Sequence, residues 1–314
     1  MKLINFFPII GIIIFIFLLF KLDLSQIFEE FFNLKINFLI IAFIFSVLII
    51  ITQTLKWFVI ARYQKIKVPF LEAIKINLIG SFFGTVTPAK IGGVFRSEYL
   101  KKYADNKIGK PIGNFILEKI LDLCSIGFLA VIASLILTDI LPIKSWIQII
   151  ILFIFVLMLI IILNENLSRR FFSAGGKIVG KMISLEVKNK IKGEFYSFYA
   201  DKPNNKYFFF FFFINLLSWI ILYITTYFIG RALGIEISVF YYLTILPVVT
   251  LISQIPITIA GLGVREVTMI GIFGFLGVEA TKVFSMSLLG LIIGELIPGF
   301  IGFLYSITQR KTTI

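Results

Sequence analysis

The chain contains no histidine. That removes the commonest general base, the commonest metal ligand and any serine–histidine triad. Its single cysteine, Cys124, lies inside an apolar run, so neither a disulfide within the chain nor a cysteine-based zinc site is available. No metal and no cofactor is expected. Acidic residues are scarce, 17 against 30 Lys and Arg, which leaves a net charge of +13. Long polar stretches are also missing, so there is no material for a separate soluble domain. What is present is apolar: 59% of the residues are hydrophobic, mean hydropathy is +1.01, and runs of about twenty apolar residues recur, the length that crosses a bilayer as a helix. The reading is an all-α, polytopic integral membrane bundle, one domain over residues 1–314. A closed barrel is excluded because the runs are continuous rather than alternating.

The positive charge has two compatible readings. Cytoplasmic loops rich in Lys and Arg follow the positive-inside rule, and an anionic lipid would meet a favourable field. Nucleic acid is not an expected partner, because the charge is scattered over loops and makes no basic face on a soluble module. Membrane lipids are the expected partners. A second copy of the chain and a separate lipid-modifying enzyme are left open.

Taken in order, residues 4–20 form a first run, read as a retained helix because no small-residue cleavage site follows. The second span, 36–60, ends near Trp57 with Arg62, Lys65 and Lys67 beyond it. This aromatic and basic border puts that end, and the N-terminus, in the cytoplasm. Residues 69–83 are too polar for a lipid-facing span. Leu71, Ile74, Leu78 and Phe82 share one helical face, which suits an interfacial or re-entrant helix. Spans at 112–137 and 146–163 follow, joined by an external link at 138–144. Residues 164–206 are a basic cytoplasmic loop with apolar faces suited to helices on the membrane surface. Its AGGKIVG stretch, 174–180, is superficially like a phosphate loop, but Lys177 is followed by Ile178 rather than Ser or Thr, so no nucleotide site is read there.

Spans at 207–229 and 239–255 come next, with a short external turn at 230–236. A short apolar segment, 267–278, offers Gly271, Gly274 and Gly277 for close helix contacts. The last span, 283–307, carries Glu295, a Gly290/Gly294 pair and Pro298. That makes about eight membrane segments, with the C-terminus cytoplasmic.

Two stretches interrupt this pattern: TVTPAKIGGVFR (85–96) and QIPITIAGLGVRE (254–266). Each has a proline, then glycines, then an arginine followed closely by a glutamate: Arg96 and Glu98, Arg265 and Glu266. Broken helices in corresponding positions of two halves point to a transport site between inverted repeats. The competing reading is two extramembrane loops with ordinary turn chemistry.

Ionisable residues inside apolar segments are functional hypotheses by default. Here they are Lys90, Arg96, Glu98, Glu118, Lys119, Asp122, Arg265, Glu266 and Glu295. One reading is a set of buried ion pairs tying helices together. In the other, Arg96, Arg265 and Lys90 bind an anionic headgroup, and Gly92, Gly93, Gly261 and Gly263 let backbone N–H groups approach it. Glu98, Glu118, Lys119, Asp122, Glu266 and Glu295 then pair with the arginines or relay protons. No catalytic residue stands out.

Three stretches together, TPAKIGGVFRSEYL (87–100), LEKILDL (117–123) and IPITIAGLGVREV (255–267), resemble the flippase-like transmembrane family typified by the membrane half of lysylphosphatidylglycerol synthases. The matching positions are Pro88, Gly92, Gly93 and Arg96; Glu118, Lys119 and Asp122; and Pro256, Gly261, Gly263, Arg265 and Glu266. Lys119 departs from the usual arginine, and Val94 or Phe95 stands where an acid often follows the glycine. The resemblance implies a lipid-handling membrane domain with re-entrant helices and a headgroup cavity, and no soluble aminoacyl-transfer domain is contained in residues 1–314. Three functions follow as expectations: a translocase for an anionic phospholipid or polyprenyl-phosphate-linked lipid, a membrane-embedded transferase acting on a lipid-linked substrate, and a structural membrane partner.

Overall fold

The computed structural model describes residues 7–87, 90–136, 167, 204–254, 258 and 260–311. The expected span at 146–163, the basic loop with its surface helices, and Pro88 and Pro256 of the two breaks lie outside these residues. Among the described residues the chain is helical. Helix α1 (Phe7–Lys21) turns by 79° into α2 (Leu24–Phe32). Asp23, at positive φ, makes the corner and its side chain accepts the Ser25 N–H at 3.0 Å. Then come α3 (Ile36–Tyr63), α4 (Phe70–Thr85), a 3₁₀ turn (Ile91–Phe95), α5 (Arg96–Leu100) and α6 (Gly109–Ile136). After 204 come α7 (Asn205–Ala232), α8 (Val239–Ser253), α9 (Val264–Gly274), α10 (Ala280–Leu291), a π turn (Ile292–Leu296) and α11 (Ile297–Lys311).

Four described segments are long and apolar enough to cross a bilayer: α3, α6, α7 and the continuous α10–α11 unit. The bent α1–α2 pair makes a fifth if it counts as one span. Helices α4 and α8, of 16 and 15 residues, reach only about 24 Å at 1.5 Å per residue, short of a core about 30 Å thick. They enter the bundle and stop at the two breaks, as re-entrant helices do.

The two halves repeat one order: a 28-residue helix (α3, α7), a short re-entrant helix (α4, α8), a break, an arginine-bearing helix (α5, α9) and a long helix (α6, α10–α11). The leading helices run antiparallel. The Lys35 N–H, at the start of α3, bonds the Ala232 carbonyl at the end of α7, and at the other end the Tyr63 and Tyr207 rings lie 4.9 Å apart. The re-entrant helices are exchanged between halves: α4 packs on α11, and α8 packs on α6. Corresponding elements that point in opposite directions and swap partners are the arrangement of an inverted repeat.

Several packing details differ from the sequence reading. On α4 the buried residues are Ala73, Ile76, Asn77, Leu78, Ile79, Gly80 and Gly84, so of the expected face Leu78 is buried while Leu71 is 74% exposed. In lipid there is no hydrophobic drive to bury a large side chain such as Leu71, and small residues such as Gly80 and Gly84 share the interface because they let backbones approach. A Cβ on Gly271, Gly274 or Gly277 would meet nothing within 4 Å among the described residues, so these glycines are not sites of close helix approach there. The close approaches belong elsewhere. A Cβ on Gly302 of α11 would collide with the Leu78 carbonyl of α4, and one on Gly230 with the Tyr242 hydroxyl. Gly230 lies within α7 rather than in a turn. Trp57 is not an interfacial anchor. It is fully buried, and its indole N–H donates to Asn77 at 3.1 Å.

A test follows from this contrast. Gly302→Val should destabilise the detergent-solubilised protein by about 1–3 kcal/mol through overpacking. Gly274→Ala should stay within about 0.5 kcal/mol, as open surface sites do. Equal shifts of thermal unfolding for the two would refute the α4–α11 contact.

Candidate functional site

The first break is fixed by side chain and backbone together. The Thr87 hydroxyl accepts the Gly92 N–H at 2.7 Å, and Lys90 takes the left-handed conformation at φ 54°. The Gly93 N–H donates to the Lys90 carbonyl at 3.2 Å. A Cβ on Gly92 would strike the Phe83 carbonyl and Thr87, and one on Gly93 would press on Phe115. In the second break Ala260, Gly261 and Gly263 have positive φ. The Gly263 N–H donates to the Glu266 carboxylate at 2.6 Å, and a Cβ on Gly263 would run into the Gly11 carbonyl of α1.

The N–H groups of Gly92, Gly93 and Gly263 are already bonded within the protein, and all four glycines of the breaks serve tight packing or left-handed backbone.

Beyond the first break, Arg96 is buried and pairs with Glu118 of α6. Its guanidinium lies over the Trp57 and Phe115 rings, 5.0 and 5.4 Å from their centroids. It also donates to the Asn114 side-chain oxygen at 3.5 Å. Lys56 of α3, 5% exposed, bonds Asp122 at 2.5 Å and stands 3.7 Å from Glu118. Asp122 also accepts from Lys119 at 3.4 Å and from the Trp219 indole N–H at 3.3 Å. Glu118 and Asp122, four residues apart on α6, thus face three cations from α3, α5 and α6.

Beyond the second break, Arg265 lies 2.9 Å from the buried Glu266 and donates through Nε to Ser287 at 3.0 Å. Ser287 in turn donates to Glu266 at 2.7 Å. A second pairing, at 3.5 Å, runs to Glu295. Glu295 sits on the π turn, one turn before Pro298. Proline has no N–H to give the Gly294 carbonyl, which accounts for the local widening. Glu295 also takes Lys90 of the first break at 2.9 Å. One carboxylate therefore joins the two breaks, and its Oε2 has no partner among the described residues.

Two cavities adjoin here. One, about 140 Å³, is lined by Lys56, Arg96, Glu118, Lys119 and Asp122; the other, about 180 Å³, is lined by Tyr223, Thr250, Arg265 and Ser287. Gln53, Lys90, Trp219, Gln254, Gly294 and Glu295 line both. Arg96 and Arg265 thus face a shared interior and are not spread over two opposite surfaces.

Glu98 does not join them. Its side chain is 56% exposed and pairs with Lys101. Positions two apart on a helix do not share a face, so Glu98 cannot follow Arg96 inward. Lys56, Asn77, Asn114, Gln53, Gln254, Trp219 and Ser287 were missed in the sequence. A lysine inside an apolar run was the available signal for Lys56. The neutral polar residues gave none. Among the described residues no group of three Asp, Glu or Cys side chains is placed to hold a metal ion.

The comparisons with known proteins find membrane proteins. A UPF0104 membrane protein of Pyrococcus horikoshii is 25% identical over 98% of this chain and 97% of its own length. Two UPF0104 membrane proteins of Methanocaldococcus jannaschii are 28% and 23% identical, over 66% and 92% of this chain and 86% and 90% of their own lengths. The sequence pattern of the family described as the lysylphosphatidylglycerol synthase TM region matches residues 8–302, which includes both breaks, three of the four long apolar segments whole and the fourth as far as residue 302; the chain belongs to that family.

Proposed function

We propose that the protein is a flippase-like translocase for a lipid with an anionic headgroup, working as one multi-pass domain of the cell membrane with both termini in the cytoplasm. The observation that carries this is the shared interior. Five cations, Lys56, Lys90, Arg96, Lys119 and Arg265, are paired there with four carboxylates, Glu118, Asp122, Glu266 and Glu295. The surplus is one positive charge, which a single phosphate would neutralise. Desolvated charge inside a membrane protein is costly and marks ion and substrate paths. A guanidinium adds fork-like donation to phosphate oxygens. The sequence carries no nucleotide-binding loop, so movement on this reading is downhill or ion-coupled.

The test is a reconstituted-liposome assay with fluorescent phospholipids. Wild-type protein should speed movement of an anionic lipid over a zwitterionic one. Arg96→Gln and Arg265→Gln, checked for folding by size exclusion, should each cut that rate at least tenfold. Unchanged rates in both variants would remove the arginines from the site. A new lipid product found by mass spectrometry would favour the transferase instead.

A further inference from the structure

The two adjoining cavities differ in chemistry. The smaller is the more densely charged, with four cations, Lys56, Lys90, Arg96 and Lys119, and three carboxylates, Glu118, Asp122 and Glu295, on its wall. The larger has three charged groups, Lys90, Arg265 and Glu295; the rest of its wall combines hydroxyl, amide and aromatic groups with aliphatic and thioether side chains such as Leu222, Leu246, Val249, Met269 and Met286.

The hydroxyls there are already committed as donors. Thr226 donates to the Leu222 carbonyl at 3.1 Å, Thr250 to Leu246 at 2.7 Å, and Ser253 to Val249 at 2.7 Å. A hydroxyl that has spent its proton on its own helix still has lone pairs to accept with. Thr250 already accepts from the Tyr223 hydroxyl at 3.3 Å; the remaining lone pairs are the acceptors this wall offers. A bare phosphate, which only accepts, gains nothing from it. An ammonium would match the acceptors but would face Arg265 and Lys90.

At the junction stand Gln53 and Gln254, half-buried, on α3 and just after α8. Neither amide has a hydrogen-bond partner among the described residues. A primary amide supplies two donors and one acceptor. Beside them the Trp219 ring lines both cavities, with the Tyr223 ring 6.1 Å away. Donors, acceptors and an aromatic wall together suit a group that both donates and accepts around an apolar ring face, which is a polyol.

We infer that the larger cavity recognises a neutral, ring-sized polyhydroxylated headgroup, a cyclitol or a hexose, whose phosphate ester lies toward the smaller, more densely charged cavity, with Gln53 and Gln254 reading the hydroxyls. A volume of about 180 Å³ equals roughly six waters at about 30 Å³ each, enough for one such ring. This inference rests on the proposed anionic-lipid site and names its substrate class. A phosphoinositide glycerolipid and a polyprenyl-phosphate hexose share the chemistry.

The experiment is native mass spectrometry of the purified, detergent-solubilised full chain. Its probes are phosphatidylinositol, a polyprenyl-phosphate glucose, phosphatidic acid and phosphatidylcholine. At least one polyol phosphate should bind about tenfold tighter than phosphatidic acid, and which one does so identifies the source. Gln53→Leu and Gln254→Leu should erase that preference, bringing the affinity for the polyol phosphate down to that for phosphatidic acid in the same variant. Size exclusion and thermal unfolding check that the variants fold. Equal affinity of wild-type protein for both polyol phosphates and for phosphatidic acid, all above phosphatidylcholine, would overturn the polyol inference and leave the anionic-lipid reading standing. A preference that persists in both glutamine variants would overturn the assignment to these amides. No preference for any anion over phosphatidylcholine would overturn the proposed function itself.

Discussion

Glu118→Ala should be among the most destabilising single substitutions in the protein, costing about 3–5 kcal/mol. That is the scale for removing one partner of a buried ion pair. Glu118 is 5% exposed, pairs with Arg96 and stands 3.7 Å from Lys56. Without it the two cations and Lys119 share Asp122 alone, in a setting where uncompensated charge is poorly solvated. The double variant Glu118→Ala/Arg96→Met should recover much of the loss, because it removes charge of both signs. The control is Glu98→Ala. Its pair with Lys101 is largely exposed, so its loss should shift stability by less than about 1 kcal/mol. Thermal unfolding of the four proteins in one detergent gives the comparison. A Glu118→Ala loss no greater than that of Glu98→Ala would mean that water reaches the cluster and that it is not a buried network.

The contrast between Glu118 and Glu98 also shows why part of the site was legible in the sequence. Charges inside apolar runs are conspicuous because their burial is costly, and Lys90, Arg96, Glu118, Asp122, Arg265, Glu266 and Glu295 all meet in the interior the two breaks enclose. Proximity along the chain misleads where the helix rotates a neighbour outward, as it does Glu98. It also hid Lys56, which stands next to Trp57 and close to Arg62, Lys65 and Lys67. That run has the composition of a membrane border, yet the Trp57 ring is buried under Arg96. Gln53, Gln254, Asn77 and Asn114 carry no charge and break no pattern, so only the packing of α3, α4, α6 and the second break assembles them. The fold divides in the same way. Length and apolarity mark α3, α6, α7 and α10–α11 in the sequence. The face buried by α4 and the corner at Asp23 depend on backbone approach and capping, to which hydropathy is blind.

Glu295→Gln should tighten binding of an anionic lipid by about tenfold or more. Glu295 is the carboxylate that holds Lys90 at 2.9 Å and Arg265 at 3.5 Å, so an incoming phosphate competes with it for both cations. Two unit charges about 4 Å apart interact by about 4 kcal/mol at an effective dielectric of 20, and each 1.4 kcal/mol is a factor of ten in affinity. Even partial screening leaves a tenfold effect. The amide keeps the size of the side chain and a hydrogen-bonding oxygen, while the negative charge is gone. The same change should cost some stability, since Lys90 and Arg265 then lose a counter-charge when the site is empty; Arg265 retains Glu266 at 2.9 Å. Stability and affinity should therefore move in opposite directions, a signature that a purely structural ion pair would not give. Lipid titration by native mass spectrometry measures the affinity, and thermal unfolding without lipid measures the stability. If Glu295→Gln weakens both, the carboxylate is not a competitor for the anion, and its pairing with Lys90 serves to tie the two halves together.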